Sequence, residues 1–184
     1  MKKINWMIIP ALIGAILLGW STTMAQGTAM QDLTNKLTQI GNLPSGTTFQ
    51  LNLTDSDLTA AAEEYLTANL SEVQTMLKQN LGVAVSVSEP LIRFTPGKIT
   101  LSLKTGVGFI KTNANVTAAV SWNGSSLDVR TESIHLPVVK VDPATADNYL
   151  RGPLNNGIDW LKRDYDIQAV QINEGSVAIT ATKK

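Results

Sequence analysis

Residues 47–184 predict an α+β fold. The expected form is a curved antiparallel sheet packed around a long amphipathic helix, with a second helix near the carboxyl terminus and a membrane helix at the amino terminus. Three observations carry this. An apolar stripe from Leu58 to Leu77 repeats with a period of about 3.6 residues, as one face of a helix does. Segments of alternating apolar residues, rich in Val, Ile and Thr, fill most of the rest and are separated by tight-turn dipeptides. The chain also opens with Lys2 and Lys3 followed by no charged residue from Ile4 to Gln26.

A bilayer core of ~30 Å needs ~20 apolar residues in a helix, and Ile4 to Gln26 reaches this length. Two membrane-directed readings stand. An uncleaved anchor would use Trp6 and Trp20 as interfacial aromatics. A cleaved signal peptide would be cut after Thr23-Met24-Ala25, an imperfect site with Thr23 two before Ala25 where Ala is usual. In both, Lys2 and Lys3 stay inside and the rest crosses. The expected location is the cell membrane, single-pass with the domain extracytoplasmic, or secreted if Ala25 is the cut. A buried terminal helix is the third reading, and the uniform apolar run is long for it. No Cys is present, so lipoprotein anchoring, disulfides and thiol chemistry are excluded.

The division expected is 1–25 as signal anchor or signal peptide, 26–46 as a tether with a short amphipathic helix, and 47–184 as one α+β domain. In the tether, Met30, Leu33, Leu37 and Ile40 fall at helical spacing, and Gly41 with Pro44-Ser45-Gly46 ends the helix. Phe49, Leu51 and Leu53 share one face of a half-buried strand. Thr54-Asp55-Ser56-Asp57 is a helix start, with a hydroxyl to cap free N–H groups and acids at the positive end of the dipole. Ser71 with Gln74 allows a restart within the helix, and Gly82 ends it.

From Val83 onward the reading is β. Val83, Val85 and Val87 alternate, Pro90 interrupts, and Leu91 to Thr95 leads into the Pro96-Gly97 turn. Ile99, Leu101 and Leu103 follow, and Gly106 with Gly108 suggests a bulge or bend. Val116, Ala118, Val120 and Trp122 precede Asn123-Gly124, a hairpin signal, before Leu127 and Val129. Ile134 to Val141 is a further apolar run. Asp142-Pro143 starts the second helix, with Leu150, Leu154, Ile158 and Leu161 as its stripe and Gly152-Pro153 as a kink. Val170 and Ile172, the turn at Glu174-Gly175, then Val177 and Ile179 make a closing hairpin.

Composition narrows the function classes. Lys and Arg number fifteen against fifteen Asp and Glu. No basic stripe suggests nucleic acid, and no polybasic patch suggests anionic headgroups. His135 is the only histidine, set between Ile134 and Leu136 so that alternation turns it outward. No G-x-S-x-G nucleophile elbow occurs. Asp55 and Asp57 read as helix caps before they read as an acid–base pair or a calcium corner, which needs more oxygen ligands. Asp142, Asp147, Asp159, Asp164 and Asp166 read as a solvated face, and Gly106-Val107-Gly108 opens no helix and so cradles no phosphate. The sequons at Asn52, Asn69, Asn115 and Asn123 matter only on a eukaryotic secretory route. No enzyme, cofactor or metal site is expected. The side chains left over are large and apolar. Phe94, Phe109, Trp122, Trp160, Tyr65 and Met76 are candidates for lipid contact in a groove between sheet and helices, each with ordinary core packing as its alternative.

Three stretches carry a resemblance. Leu53-Thr54-Asp55-Ser56-Asp57-Leu58 resembles the L-T-[DE]-x-[DE]-L helix start of small exported bacterial proteins. Phe94 to Leu101 resembles their x-P-G-x-I-x-V hairpin, and Val170 to Ala181 their closing V-x-I-x-[DE]-G-x-[ML]-x-I-T-G, with Ala181 where Gly is frequent. These are the LmeA-like and YpmS-like envelope proteins, which look related to the tubular lipid-binding (TULIP-like) fold. The resemblance covers most of Thr47 to Thr182 through short turn and cap motifs. It implies a curved sheet around a long helix, a membrane segment, and phospholipid binding or envelope maintenance. No catalytic motif comes with it. The expected function is an extracytoplasmic, membrane-associated, non-catalytic lipid-binding protein. The alternative is a module that docks an envelope protein on its sheet surface or edge.

Overall fold

In a computed structural model, residues 27–82, 84–136 and 142–184 are described. The expectations for Met1 to Ala25, with Trp6 and Trp20, and for Val83 and residues 137–141 lie outside them. No helix among the described residues is long and apolar enough to cross a membrane.

The chain order is α1 (Thr28–Gly41), β1 (Thr48–Thr54), α2 (Asp55–Ala68), α3 (Leu70–Leu81), β2 (Ser86–Thr95), β3 (Lys98–Val107), β4 (Ile110–Trp122), β5 (Leu127–His135), α4 (Pro143–Leu161), β6 (Tyr165–Asn173) and β7 (Ser176–Lys183). The fold is α+β with two antiparallel sheets. One has the order β1-β7-β6 and the other β2-β3-β4-β5. The strands fall into two sheets where the sequence reading expected one. The long helix is also two. The break falls at Asn69, whose backbone leaves the helical region (φ −115°, ψ 17°) and whose side-chain amide adds a second donor, at 2.9 Å, to the Tyr65 carbonyl. Asparagine side chains compete in this way with the helical ladder.

The predicted turns join the strands at Pro96-Gly97, Asn123-Gly124 and Glu174-Gly175. Three bulges keep apolar residues inward where the sequence changes phase. Val87 gives way to Ile92 across the break at Ser88/Leu91, where Glu89 takes a φ of 50°. Ile167 gives way to Val170 across Ile167/Ala169, and Thr131 to Ile134 opposite Thr117/Ala118. Each extra residue shifts alternation by one and rotates the strand so that the same face stays buried.

Helix α2 begins with a capping box. The Thr54 hydroxyl accepts from the Asp57 N–H at 3.1 Å, and the Asp57 carboxylate accepts from the Thr54 N–H at 3.0 Å. Helix α1 has no such local cap, since Gly27 precedes it. Instead the Glu64 carboxylate of α2 accepts from the N–H groups of Ala29 (2.8 Å) and Met30 (3.0 Å). A Cβ on Gly27 would come within 2.2 Å of that carboxylate. At the other end of α1, Lys36 pairs with Asp57 at 2.6 Å. Leu33 is only 1% exposed, so α1 lies within the folded body rather than beside it.

Helix α4 is held along β5. At four-residue spacing, Asp147 accepts from the Thr131 N–H, Arg151 donates to the Val129 carbonyl, and Asn155 bonds both backbone groups of Leu127. Four helical residues rise about 6 Å and two strand residues about 6.7 Å, so the two ladders stay in step across three contacts. Asp142 caps the helix by accepting from the Thr145 N–H at 2.9 Å, Pro143 follows, and Pro153 sits inside without ending it.

Candidate functional site: an apolar cavity between the sheets

On α4, the face beside Asp147, Arg151 and Asn155 turns inward with them. Leu154, Gly157, Ile158 and Leu161 wall one side of a cavity of about 110 Å³. The four-stranded sheet supplies Ile92, Phe94, Ile99, Leu101, Val120 and Leu127. The three-stranded sheet supplies Leu51, Leu53, Val170, Ile172, Val177 and Ile179, and α2 adds Leu58. The side chains around the space are all hydrocarbon, with Gly157 the exception.

Backbone bonds hold the two sheets together at this end. Gly97 N–H donates to the Ile172 carbonyl and Gly175 N–H to the Phe94 carbonyl, each at 3.0 Å. The inner lining is buried, including Leu51, Leu53, Phe94, Val120 and Ile158. Ile99, Leu101, Leu154, Val170, Ile172 and Val177 are only half-buried, so the cavity reaches the surface along β3, β6 and α4. A space of this size and lining compares with an apolar cavity of ~150 Å³ that stays dry and takes up benzene. It offers no hydrogen bond and no charge to a reacting group.

Of the side chains singled out from sequence, the structure brings Phe94 to the cavity, 3% exposed. Trp122 and Trp160 pack half-buried against the main core. The Trp122 ring lies 5.6 Å from the Lys162 ammonium, and its Nε1 is buried without a hydrogen-bond partner. Tyr65 packs on a second cluster, formed by Leu66, Val73, Leu77, Val85, Val87 and Leu103. Burial, and then the charge of Glu72, push its phenol above the usual value. Met76 lies on α3, and its side chain is outside the described residues. Phe109 stands alone and fully exposed on the turn between β3 and β4. His135 is exposed at the end of β5. Among the described residues no three His, Asp or Glu side chains gather as metal ligands.

Sequence reasoning missed most of the lining. Leu51, Leu53, Ile99, Leu101, Val177 and Ile179 were visible only as the inward halves of strands, which any core would show. No family model matches this chain, and neither does any curated protein.

Proposed function

We propose that this chain is an extracytoplasmic, membrane-associated protein that holds acyl chains of phospholipid and has no catalytic role. The observation that carries the reading is the cavity of about 110 Å³ with an entirely hydrocarbon lining and a half-buried mouth. The segment Met1 to Ala25, as anchor or signal peptide, and the resemblance to LmeA-like and YpmS-like proteins support it. So does the expected wrapping of a curved sheet around α2.

Magnitude sets a condition. Each buried CH₂ contributes ~0.8 kcal/mol, so micromolar affinity needs about ten of them. Ligand pockets usually span ~300–1,000 Å³. The cavity is a preformed seed, and binding widens it by parting the mouth between α4 and the strands β3 and β6.

Native mass spectrometry of the full chain extracted from membranes tests this. About one phospholipid per chain is expected. A lipid-free chain that also takes up no fluorescent phospholipid would overturn the reading. A stoichiometric protein in the same spectra would favour docking of an envelope partner. Addition of a strand at the edges of the four-stranded sheet has little support. The α4 side chains occupy the β5 edge at Leu127, Val129 and Thr131. On β2, the Thr59 hydroxyl bonds both the N–H (2.9 Å) and the carbonyl (3.2 Å) of Ile92.

A further inference from the structure

The β3–β4 hairpin ends in two apolar side chains that stand largely clear of the folded body. Phe109 is 106% exposed and Ile110 73%. The turn is tight. Val107 pairs with Ile110, and Gly108 at a φ of 60° takes the left-handed first position of the two-residue loop. Such a loop fixes Phe109 at the apex with no neighbour to cover it. A water-facing hairpin would place a polar residue there, and exposed adjacent Phe and Ile mark a contact site.

Its position in the molecule says with what. Val107, just below the apex, packs on the cluster that contains Leu66 of α2. Two residues before Leu66, Glu64 holds the first N–H groups of α1. Helices α1 and α2 are antiparallel, since Lys36 meets Asp57 at their other ends. Gly27, level with Glu64 in the second half of α2, and Phe109, beyond Val107, thus lie toward the same end of the molecule. The 26 residues that precede Gly27, with their uncharged apolar run, join the folded body on that side. The cavity lies toward the other end, eight strand residues (roughly 25 Å) from Phe109 as counted from Leu101. Lys111 is exposed next to Ile110, where its ammonium can reach lipid phosphates.

We propose that the apex Phe109–Ile110 inserts into the interface of the same bilayer that holds the amino-terminal segment. This rests on the membrane association proposed above and not on acyl-chain binding in the cavity. Two side chains alone bind a bilayer weakly. Linked to a membrane segment, their contact becomes intramolecular, at an effective concentration of about millimolar or more. Two points of attachment would hold the domain upright, with the cavity at the end away from the apex.

The absence of Cys makes the test direct. The full chain carrying Ile110→Cys, or Glu174→Cys on the β6–β7 turn at the cavity end, is labelled with an environment-sensitive fluorophore. It is then reconstituted in vesicles of phosphatidylcholine and phosphatidylglycerol, with or without spin-labelled lipid. The expected result is blue-shifted emission at position 110, quenched several-fold more by spin-labelled lipid than emission at position 174. Adding Phe109→Asp should abolish the difference while flotation with the vesicles persists. Water-like, unquenched emission at 110 in a floating chain would overturn the proposal. So would a blue shift that lipid does not quench and that grows with protein concentration, since it would seat the tip on protein. A chain that does not float overturns this proposal and the membrane reading together. Phospholipid uptake at the cavity is a separate readout, and its loss alone leaves the tip contact standing.

Discussion

Asn155 of α4 and Leu127 of β5 form a two-bond pair in which a side-chain amide replaces a neighbouring strand. The Leu127 N–H donates to Oδ1 at 2.7 Å, and Nδ2 donates to the Leu127 carbonyl at 3.0 Å. Leu127 also lines the cavity. The same pair closes a sheet edge and fixes the helix that forms the cavity wall. Asn155→Ala should cost about 1–3 kcal/mol in denaturant unfolding, or a few degrees in Tm. Asn155→Asp, which keeps the acceptor alone, should fall between.

Helix α1 should behave as part of the fold. Leu33→Ala is expected to cost about 2–5 kcal/mol, the usual range for a buried leucine. A slack tether would show no change in the same unfolding experiment.

The cap that Glu64 provides to α1 makes a local prediction. Gly27→Ala drives a methyl into the carboxylate, and Glu64→Ala removes it. Each should cost about 0.5–2 kcal/mol. Hydrogen exchange should show faster opening at Ala29 and Met30 and no change in β3 or β4.

Acid should weaken the α1–α2 contact. Burial pushes the Asp57 carboxyl up, but hydrogen bonds from Lys36 and Thr54 and the Lys36 charge outweigh it and leave it below the ordinary value. A group lowered in the folded state stabilises fully above its unfolded pKa of about 3.9, and that stabilisation is lost as pH falls through the folded value. Asp57→Asn should therefore be less stable than the natural chain at pH 7. The gap should narrow below about pH 4 in unfolding curves taken across pH.

Elements that depend on neighbours in the chain were legible in the sequence. Thr54 through Asp57 read as a cap, Asp142-Pro143 as a helix start, and three dipeptides as turns, because each works through local backbone chemistry. Pro90 marked the interruption between Val87 and Ile92, whereas the phase change from Ile167 to Val170 came only with the strand pairing. The restart allowed at Ser71 with Gln74 matches the second helix Leu70–Leu81, and the junction itself falls at Asn69, where the apolar stripe continues and the side chain bonds the Tyr65 carbonyl. The division into two sheets depends on long-range pairing, with β1 joining β7 across most of the chain. The cavity was not legible. Its lining comes from every element except α1 and α3, and each contributes residues that would look the same in a solid core. Phe109 was grouped with the core aromatics by its chemistry alone, and its exposure follows from the turn at Gly108.

The central claim is that acyl chains enter the cavity, and Gly157→Leu tests it most directly. Residue 157 lies on the cavity wall, so a leucine there projects toward the space. Replacing glycine inside a helix also gains about 1 kcal/mol in propensity, which guards against simple unfolding. Uptake of a fluorescent phospholipid by the full chain, measured beside Tm, should fall at least tenfold with Tm unchanged or raised. Undiminished uptake by the folded variant would contradict the account.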